Sequence, residues 1–194
     1  QGLTVGADFF LNTNVLLGST LAFTTSDLKY ANSDGDLDAE VTTMSIFGAY
    51  FLNDFSFYAQ ATYAWLDYES QRNINYGSGD IVTDAIVRST TGGQQTGFNS
   101  RADWQWQKNA FTLTPYARLD FLNTEVDAYE EFGTSGLEMA IGKQESSQLS
   151  VALGLQTSYV MNMSWGVLIP NLEFAYLSET NSDRDPITAR FAVD

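Results

Sequence analysis

Eight stretches of this chain alternate apolar with polar residues, and the connections between them run short, then long, in strict succession. The stretches are Leu3 to Leu11, Asn14 to Thr25, Leu37 to Tyr50, Phe55 to Tyr68, Gly97 to Gln107, Phe111 to Thr124, Leu137 to Val160 and Trp165 to Leu177. Tight turns fall at Asn12–Thr13, Leu52–Asp54, Lys108–Ala110 and around Met161–Ser164, while long loops join the other ends, one of them Glu125–Gly136. Successive side chains of a β-strand point to opposite faces, so each stretch makes a strand with one greasy and one polar side. A meander with all its short turns at one end and all its long loops at the other has the layout of an outer-membrane barrel. The expected fold is all-β: an antiparallel up-and-down transmembrane β-barrel, here an incomplete wall of about eight strands.

The faces separate most cleanly in two neighbouring strands. In one, Phe98, Ala102, Trp104 and Trp106 alternate with Asn99, Arg101, Asp103, Gln105 and Gln107. In the next, Phe111, Leu113, Pro115, Ala117, Leu119 and Phe121 alternate with Thr112, Thr114, Tyr116, Arg118 and Asp120. About ten residues at ~3.3 Å rise and ~45° tilt span roughly 23 Å, the height of a barrel's apolar band. A soluble sandwich or lipocalin also alternates, with its apolar face inward. Two features favour lipid on the apolar side. Arg101 with Asp103 and Arg118 with Asp120 sit on the polar faces, where a dry core would tolerate them poorly. Aromatics also gather near the tight turns: Phe9, Phe10, Tyr50, Phe51, Phe55, Phe57, Trp104, Trp106, Phe111, Tyr159 and Trp165. That is the composition of an interfacial girdle. Asn99, Arg101, Asp103, Gln105, Tyr116, Arg118 and Asp120 are accordingly expected to form a lumen-facing polar network.

Other positions leave alternatives open. In the third strand Met44, Ile46 and Tyr50 compete with Phe47 and Ala49 for the outer face. Leu137 to Val160 keeps one register and is read as a single long strand. Gly6, Gly18 and Gly154 fall on inward faces, either to leave room for a threaded segment or to relieve a curving wall.

Composition narrows the chemistry. Of 194 residues 44% are apolar, yet mean hydropathy is −0.16 because apolar positions alternate with polar ones. No run nears the roughly 18 apolar residues of a membrane helix. Cysteine and histidine are both absent. That removes disulfides, thiolate zinc sites, histidine-ligated metals and every catalytic triad with an imidazole base. No catalytic, cofactor-binding or metal-binding residue is assigned. A carboxylate-only enzyme using Asp120 with Glu131 would draw on a strand and a loop. The net charge of −15 disfavours a nucleic-acid partner. The acids crowd the long connections: Asp27, Asp34, Asp36, Asp38 and Glu40; then Asp67, Glu69, Asp80 and Asp84; then Asp127, Glu130 and Glu131; then Glu179, Asp183 and Asp185. They are read as solvated loop tips, with cation bridges to lipopolysaccharide phosphates as the alternative.

A series of short motifs, taken in order, resembles the C-terminal β-domain of bacterial autotransporters, the translocators of type V secretion. They are Gly2-Leu-Thr-Val-Gly-Ala-Asp8, Leu17-Gly-Ser-Thr-Leu-Ala-Phe23, Ile46-Phe-Gly-Ala-Tyr50, Phe57-Tyr-Ala-Gln-Ala-Thr-Tyr63 and Tyr68-Glu-Ser-Gln-Arg72. Thr114-Pro-Tyr-Ala-Arg-Leu119, Glu131-Phe-Gly133, Leu149-Ser-Val-Ala-Leu-Gly154 and Ile169-Pro-Asn-Leu-Glu-Phe174 continue the series. The resemblance implies a twelve-stranded barrel whose lumen holds a helix leading to a secreted passenger. It further implies that residues 1–194 are one partial domain, with the N-terminal strand, plug helix and C-terminal strands outside it.

The expected function is an outer-membrane translocator and anchor that supports surface display or secretion of an N-terminal passenger. Its expected partners are outer-membrane lipid and lipopolysaccharide, the barrel assembly machinery and its own passenger. The alternative is a small complete outer-membrane barrel acting as adhesin or structural anchor. The two readings differ at the wall: the first expects a gap between the strands near Leu3 and near Phe174, the second a continuous ladder. Ile187–Val193 is read as the opening of another strand.

Overall fold

Period-two patterning carries most of the chain into one large antiparallel sheet. The computed structural model describes residues 1–30, 35–78, 81–184 and 186–192. Strands β1 (Gly2–Asn12), β2 (Val15–Lys29), β3 (Gly35–Leu52), β4 (Phe55–Ser78) and β5 (Ile81–Trp104) follow one another. The short β6 (Trp106–Lys108) precedes β7 (Phe111–Val126), then β8 (Tyr129–Glu130), β9 (Met139–Ile141) and β10 (Gln144–Tyr159). The hairpin β11 (Met161–Met163) and β12 (Gly166–Leu168) leads to β13 (Asn171–Arg184) and β14 (Ala189–Phe191). The wall runs β1-β2-β3-β4-β5-β7-β10-β13, with β6 on β7. Its end strands β1 and β13 do not pair with each other among the described residues, so the expected gap is present and the ladder of a small closed barrel is not.

The tight turns have local causes. Asn53 and Asn109 take positive φ, 51° and 55°, in the two-residue connections β3–β4 and β6–β7. Asparagine tolerates this left-handed conformation better than most residues. At the first turn, the Asn12 side-chain oxygen accepts from the Asn14 and Val15 amides at 2.8 and 3.0 Å. That turn is therefore centred on Thr13–Asn14, one residue beyond the expected place. Pro115 lacks an amide hydrogen, and the β5–β7 ladder breaks beside it between Asp103–Tyr116 and Trp106–Leu113.

Exposure is inverted relative to a water-soluble domain. Val87 is the one large side chain that is fully buried among those described, while Leu3, Phe9, Ile46, Phe57, Leu153 and Phe174 are all exposed. The register puts them on one face: Phe9 stands opposite Leu17, Ile46 opposite Ala61, Phe98 opposite Phe121, and Leu153 opposite Ala117 and Tyr176. So continuous an apolar surface demands a non-aqueous neighbour. The third strand joins this face through Met44, Ile46 and Tyr50, and Phe47 turns to the other side. At the short-turn end the face carries Phe55 stacked on Trp104 and Trp106 edge-on to Phe111. A second aromatic group, Tyr63 against Trp65 with ring centroids 4.7 Å apart, lies further up β4. Phe10 and Phe51 depart from the expected girdle, since their positions opposite Leu16 and Ser56 put them on the polar side.

Several sequence expectations fail beyond the apolar band. The presumed loop after Tyr68 is mostly strand: β4 and β5 run 24 residues each and stay paired to Ser78 and Ile81. Beyond the apolar band the outer face meets water and takes residues such as Asp67 and Glu69, so the apolar alternation lapses and the pattern no longer reports the strand. Asp27, Asp36, Asp38, Glu40, Asp67 and Glu69 are likewise strand residues, with Asp27 opposite Asp38 and Asp38 opposite Glu69. Asp34, Asp80, Asp185 and Val193 lie outside the described residues. The long strand from Leu137 is also interrupted: β9 leaves the wall and pairs with β8 and β14. Residues 189–191 therefore cover β9 instead of opening a new wall strand.

The loop before β9 is held by a carboxylate. Glu138 Oε1 accepts from the Ser135 amide at 2.8 Å and its hydroxyl at 3.0 Å. The Ser135 backbone bond above all holds the Glu138 carboxyl below the ordinary carboxylate range. A group with a lowered folded pKa stabilises the fold above its unfolded pKa, and this is lost as pH falls through the folded value. Hydrogen-exchange protection at Ser135, corrected for intrinsic rate, should therefore hold through the ordinary glutamate range and decline as pH falls below it. Glu138→Gln should remove that pH dependence.

Candidate functional site

The face opposite the apolar one carries the candidate site, and the register assembles it row by row. Tyr58, Arg101, Arg118 and Ala152 form one row across β4, β5, β7 and β10. Ser56, Asp103, Tyr116 and Gly154 form the next, and Gln60, Asn99, Asp120 and Ser150 the row on the other side. Six of the seven residues expected from sequence thus share one patch. Gln105 stands at its edge, beside Thr114, Gln156 and Glu173 around a hollow of about 470 Å³.

Arg101 and Arg118 are directly opposite, a placement that like charges disfavour. Each is neutralised on its own strand. Arg101 Nη2 lies 2.7 Å from Asp103 Oδ1, and Arg118 Nε lies 2.8 Å from Asp120 Oδ2. The two pairs are not equivalent: the Arg101–Asp103 side chains are 29% and 19% exposed, against 43% and 40% for Arg118–Asp120. Arg101 also lies over the Tyr116 ring, 3.9 Å from its centroid, and donates to Gln156 Oε1 at 3.3 Å. Asp103→Asn should therefore cost about 1–2 kcal/mol of barrel stability, and Asp120→Asn less than about 0.5 kcal/mol. Urea unfolding of the full-length protein in detergent micelles would measure both. Equal costs would contradict the geometry.

Glu173 on β13 belongs to the same network although its sequence neighbourhood did not single it out. The Tyr116 hydroxyl donates to Glu173 Oε1 at 2.6 Å, although β10 lies between the two strands. Gly154 makes this reach possible, because a Cβ built there would overlap the Cζ, Cε1 and Oη atoms of Tyr116. Gly18 does the same for Phe47. Neighbouring rings thus fill the space over both glycines. The facing pair of a small residue and an aromatic one is the sequence signal that leads to Glu173.

Around Phe47 the polar face continues as hydrogen bonds. Tyr58 donates to Gln60 at 2.5 Å, Gln60 Nε2 donates to Thr62 at 3.3 Å, and the Thr62 and Ser45 hydroxyls lie 3.0 Å apart. Among the described residues, every buried side-chain nitrogen and oxygen has a hydrogen-bond partner. The two carboxylates of a carboxylate-only enzyme are engaged separately: Asp120 with Arg118, Glu131 with Arg72. The arrangement fixes charges and hydroxyls along a wall.

Comparison with known proteins agrees with this architecture. The family model described as the autotransporter beta-domain matches residues 1–194. Over 192 residues the chain is 25% identical to Outer membrane protein B of Rickettsia typhi (strain ATCC VR-144 / Wilmington), covering 93% of this chain. The chain spans 11% of the length of that curated relative. Among solved structures, the translocator domain of autotransporter NalP from Neisseria meningitidis superposes with a TM-score of 0.66 at 16% identity. That match covers 96% of this chain and 62% of NalP's. The ferric preacinetobactin receptor BauA of Acinetobacter baumannii reaches 0.50 at 9% identity, over 97% of this chain and 36% of its own. An antiparallel wall with one exposed apolar face and the family match over its whole length put the chain in the bacterial outer membrane, and it belongs to the autotransporter β-domain family.

Proposed function

We propose that this chain is the larger part of an outer-membrane translocator and anchor, which supports surface display or secretion of a passenger encoded ahead of it. One observation carries the reading: within the apolar band, a hydrogen-bonded polar face backs an exposed apolar one across β3, β4, β5 and β7. On this reading the polar face, with Asn99, Arg101, Asp103, Gln105, Tyr116, Arg118, Asp120 and Glu173, lines a hydrated lumen. The lumen serves passage and anchoring and carries no chemistry of its own. The apolar face meets lipid, and the acids of β2, β3 and β4 stand at the headgroups, within reach of lipopolysaccharide. The barrel assembly machinery inserts it. Unpaired edges in hydrocarbon cost several kcal/mol per unsatisfied group, so further strands complete the wall between β1 and β13.

The test uses the full-length protein in a Gram-negative host. Deleting the β4–β5 hairpin should leave the segment ahead of the barrel in the periplasm, protected from protease added to intact cells. A segment that still reaches the surface would contradict the translocator reading. Surface exposure of the barrel's own loops alone would favour an adhesin or structural anchor.

A further inference from the structure

The polar face does not stay open along the long β4–β5 hairpin. Arg72 and Val87 are paired across it and continue the inward-facing alternation of Tyr58, Gln60 and Leu66. Val87 nonetheless is only 1% exposed, so something covers it. The cover is the segment after β7. It stays on the edge of β5, where the Asp127 amide donates to the Gly92 carbonyl and Phe132 exchanges two backbone bonds with Arg88 as an antiparallel bridge. Gly133 packs on Val87 so closely that a Cβ there would lie 3.2 Å from Val87 Cγ1. β8, β9 and β14 form a small sheet above it, and β14 reaches β9 from beyond β13.

One side chain ties this sheet to the wall. The Glu131 carboxylate accepts from Arg72 Nε and Nη2 at 3.1 and 2.6 Å and from the Met139 amide at 2.9 Å. It is 10% exposed, so losing its cation would strand a charge in a covered place. Tyr129, on β8 beside Glu131, is half-buried in the same place. Burial, with the Glu131 carboxylate and the Tyr30 phenol, pushes that phenol above its ordinary pKa.

We propose that residues 127–142, with β14, form a cap over the long-loop end of the inner channel, latched shut by the Arg72–Glu131 pair and released when a chain passes. This rests on the reading of the polar face as a lumen. The covered floor gives a readout that needs no passenger movement, so a failed cap and a failed translocator are distinguishable. The chain has no cysteine, so Val87→Cys introduces a unique thiol into it. In the full-length protein on intact cells, that thiol should react slowly with a membrane-impermeant maleimide.

Adding Glu131→Gln or Arg72→Gln should speed the reaction about tenfold, as an opening equilibrium shifts. The exchanged pair Arg72→Glu with Glu131→Arg should slow it again. A Glu69→Cys control, on the outer face, should react at one rate in every background. A Val87→Cys thiol that reacts fast with the latch intact overturns the cap. A slow one in both single variants, or an exchanged pair as fast as they are, overturns the latch. For a variant that assembles poorly, single-channel conductance in planar bilayers counts only assembled barrels. Conductance of Glu131→Gln should exceed that of the native protein, and equal values would overturn the proposal.

Discussion

Gly154→Val is expected to destabilise the assembled wall by about 3 kcal/mol or more, the sum of overpacking and a lost buried partner. A Cβ at this position would meet the Cζ, Cε1 and Oη atoms of Tyr116, well inside contact distance. Tyr116 is 7% exposed and held from two sides, by the Arg101 guanidinium over its ring and by Glu173 at its hydroxyl. Moving the ring therefore breaks both contacts and leaves Glu173 without its donor. Gly97→Ala supplies the contrast, since a Cβ there finds its nearest neighbours at 3.6 and 3.7 Å, ordinary contact. It should cost less than about 0.5 kcal/mol. Tyr116→Ala in a Gly154→Ala background should cost less than the two single changes added together, because one removes the other's clash. Urea unfolding of the full-length protein in micelles, with heat-modifiable gel mobility as a count of folded barrel, reads all five variants.

Leu153→Arg is expected to cost about 2–4 kcal/mol in a bilayer, the cost of a cation near the midplane of a barrel's lipid face. Leu153 is 60% exposed, flanked by Ala117 and Tyr176 on the apolar side, and six residues from the end of β10. In a water-soluble protein the same exchange at so exposed a leucine would stay within about 0.5 kcal/mol. Ser158→Arg, on the polar parity near the short turn, should cost less than about 1 kcal/mol because its head group reaches water. The difference between these two arginines, measured by refolding into lipid vesicles, reports which side is wet.

The sequence was most readable where one face had to be apolar and the other polar. Phe98 to Trp106 and Phe111 to Phe121 show it: alternation alone places every one of these side chains on the side where the register puts it. Legibility fell wherever a partner from another strand decided the outcome. Phe47 turns to the polar side because Gly18 on β2 receives its ring, a contact between residues far apart in sequence. The outer half of β4–β5 reads as loop because its outer face, beyond the lipid band, carries polar residues such as Asp67 and Glu69 in place of apolar ones. β9 shares the parity of β10 but pairs with other strands, which parity cannot reveal. Arg101, Asp103, Arg118 and Asp120 were visible as charges on polar faces. Glu173 was not, since its link to Tyr116 passes over Gly154 between them.

A nitroxide scan of β4 from Phe55 to Tyr63, in the full-length protein in lipid vesicles, tests the central claim most directly. Oxygen, which concentrates in the bilayer, should relax labels at the odd positions Phe55, Phe57, Ala59, Ala61 and Tyr63. Labels at Ser56, Tyr58, Gln60 and Thr62 should show little oxygen access, giving a clean period of two. Oxygen access in the opposite phase, or without alternation, would contradict an apolar face turned to lipid and a polar face turned inward.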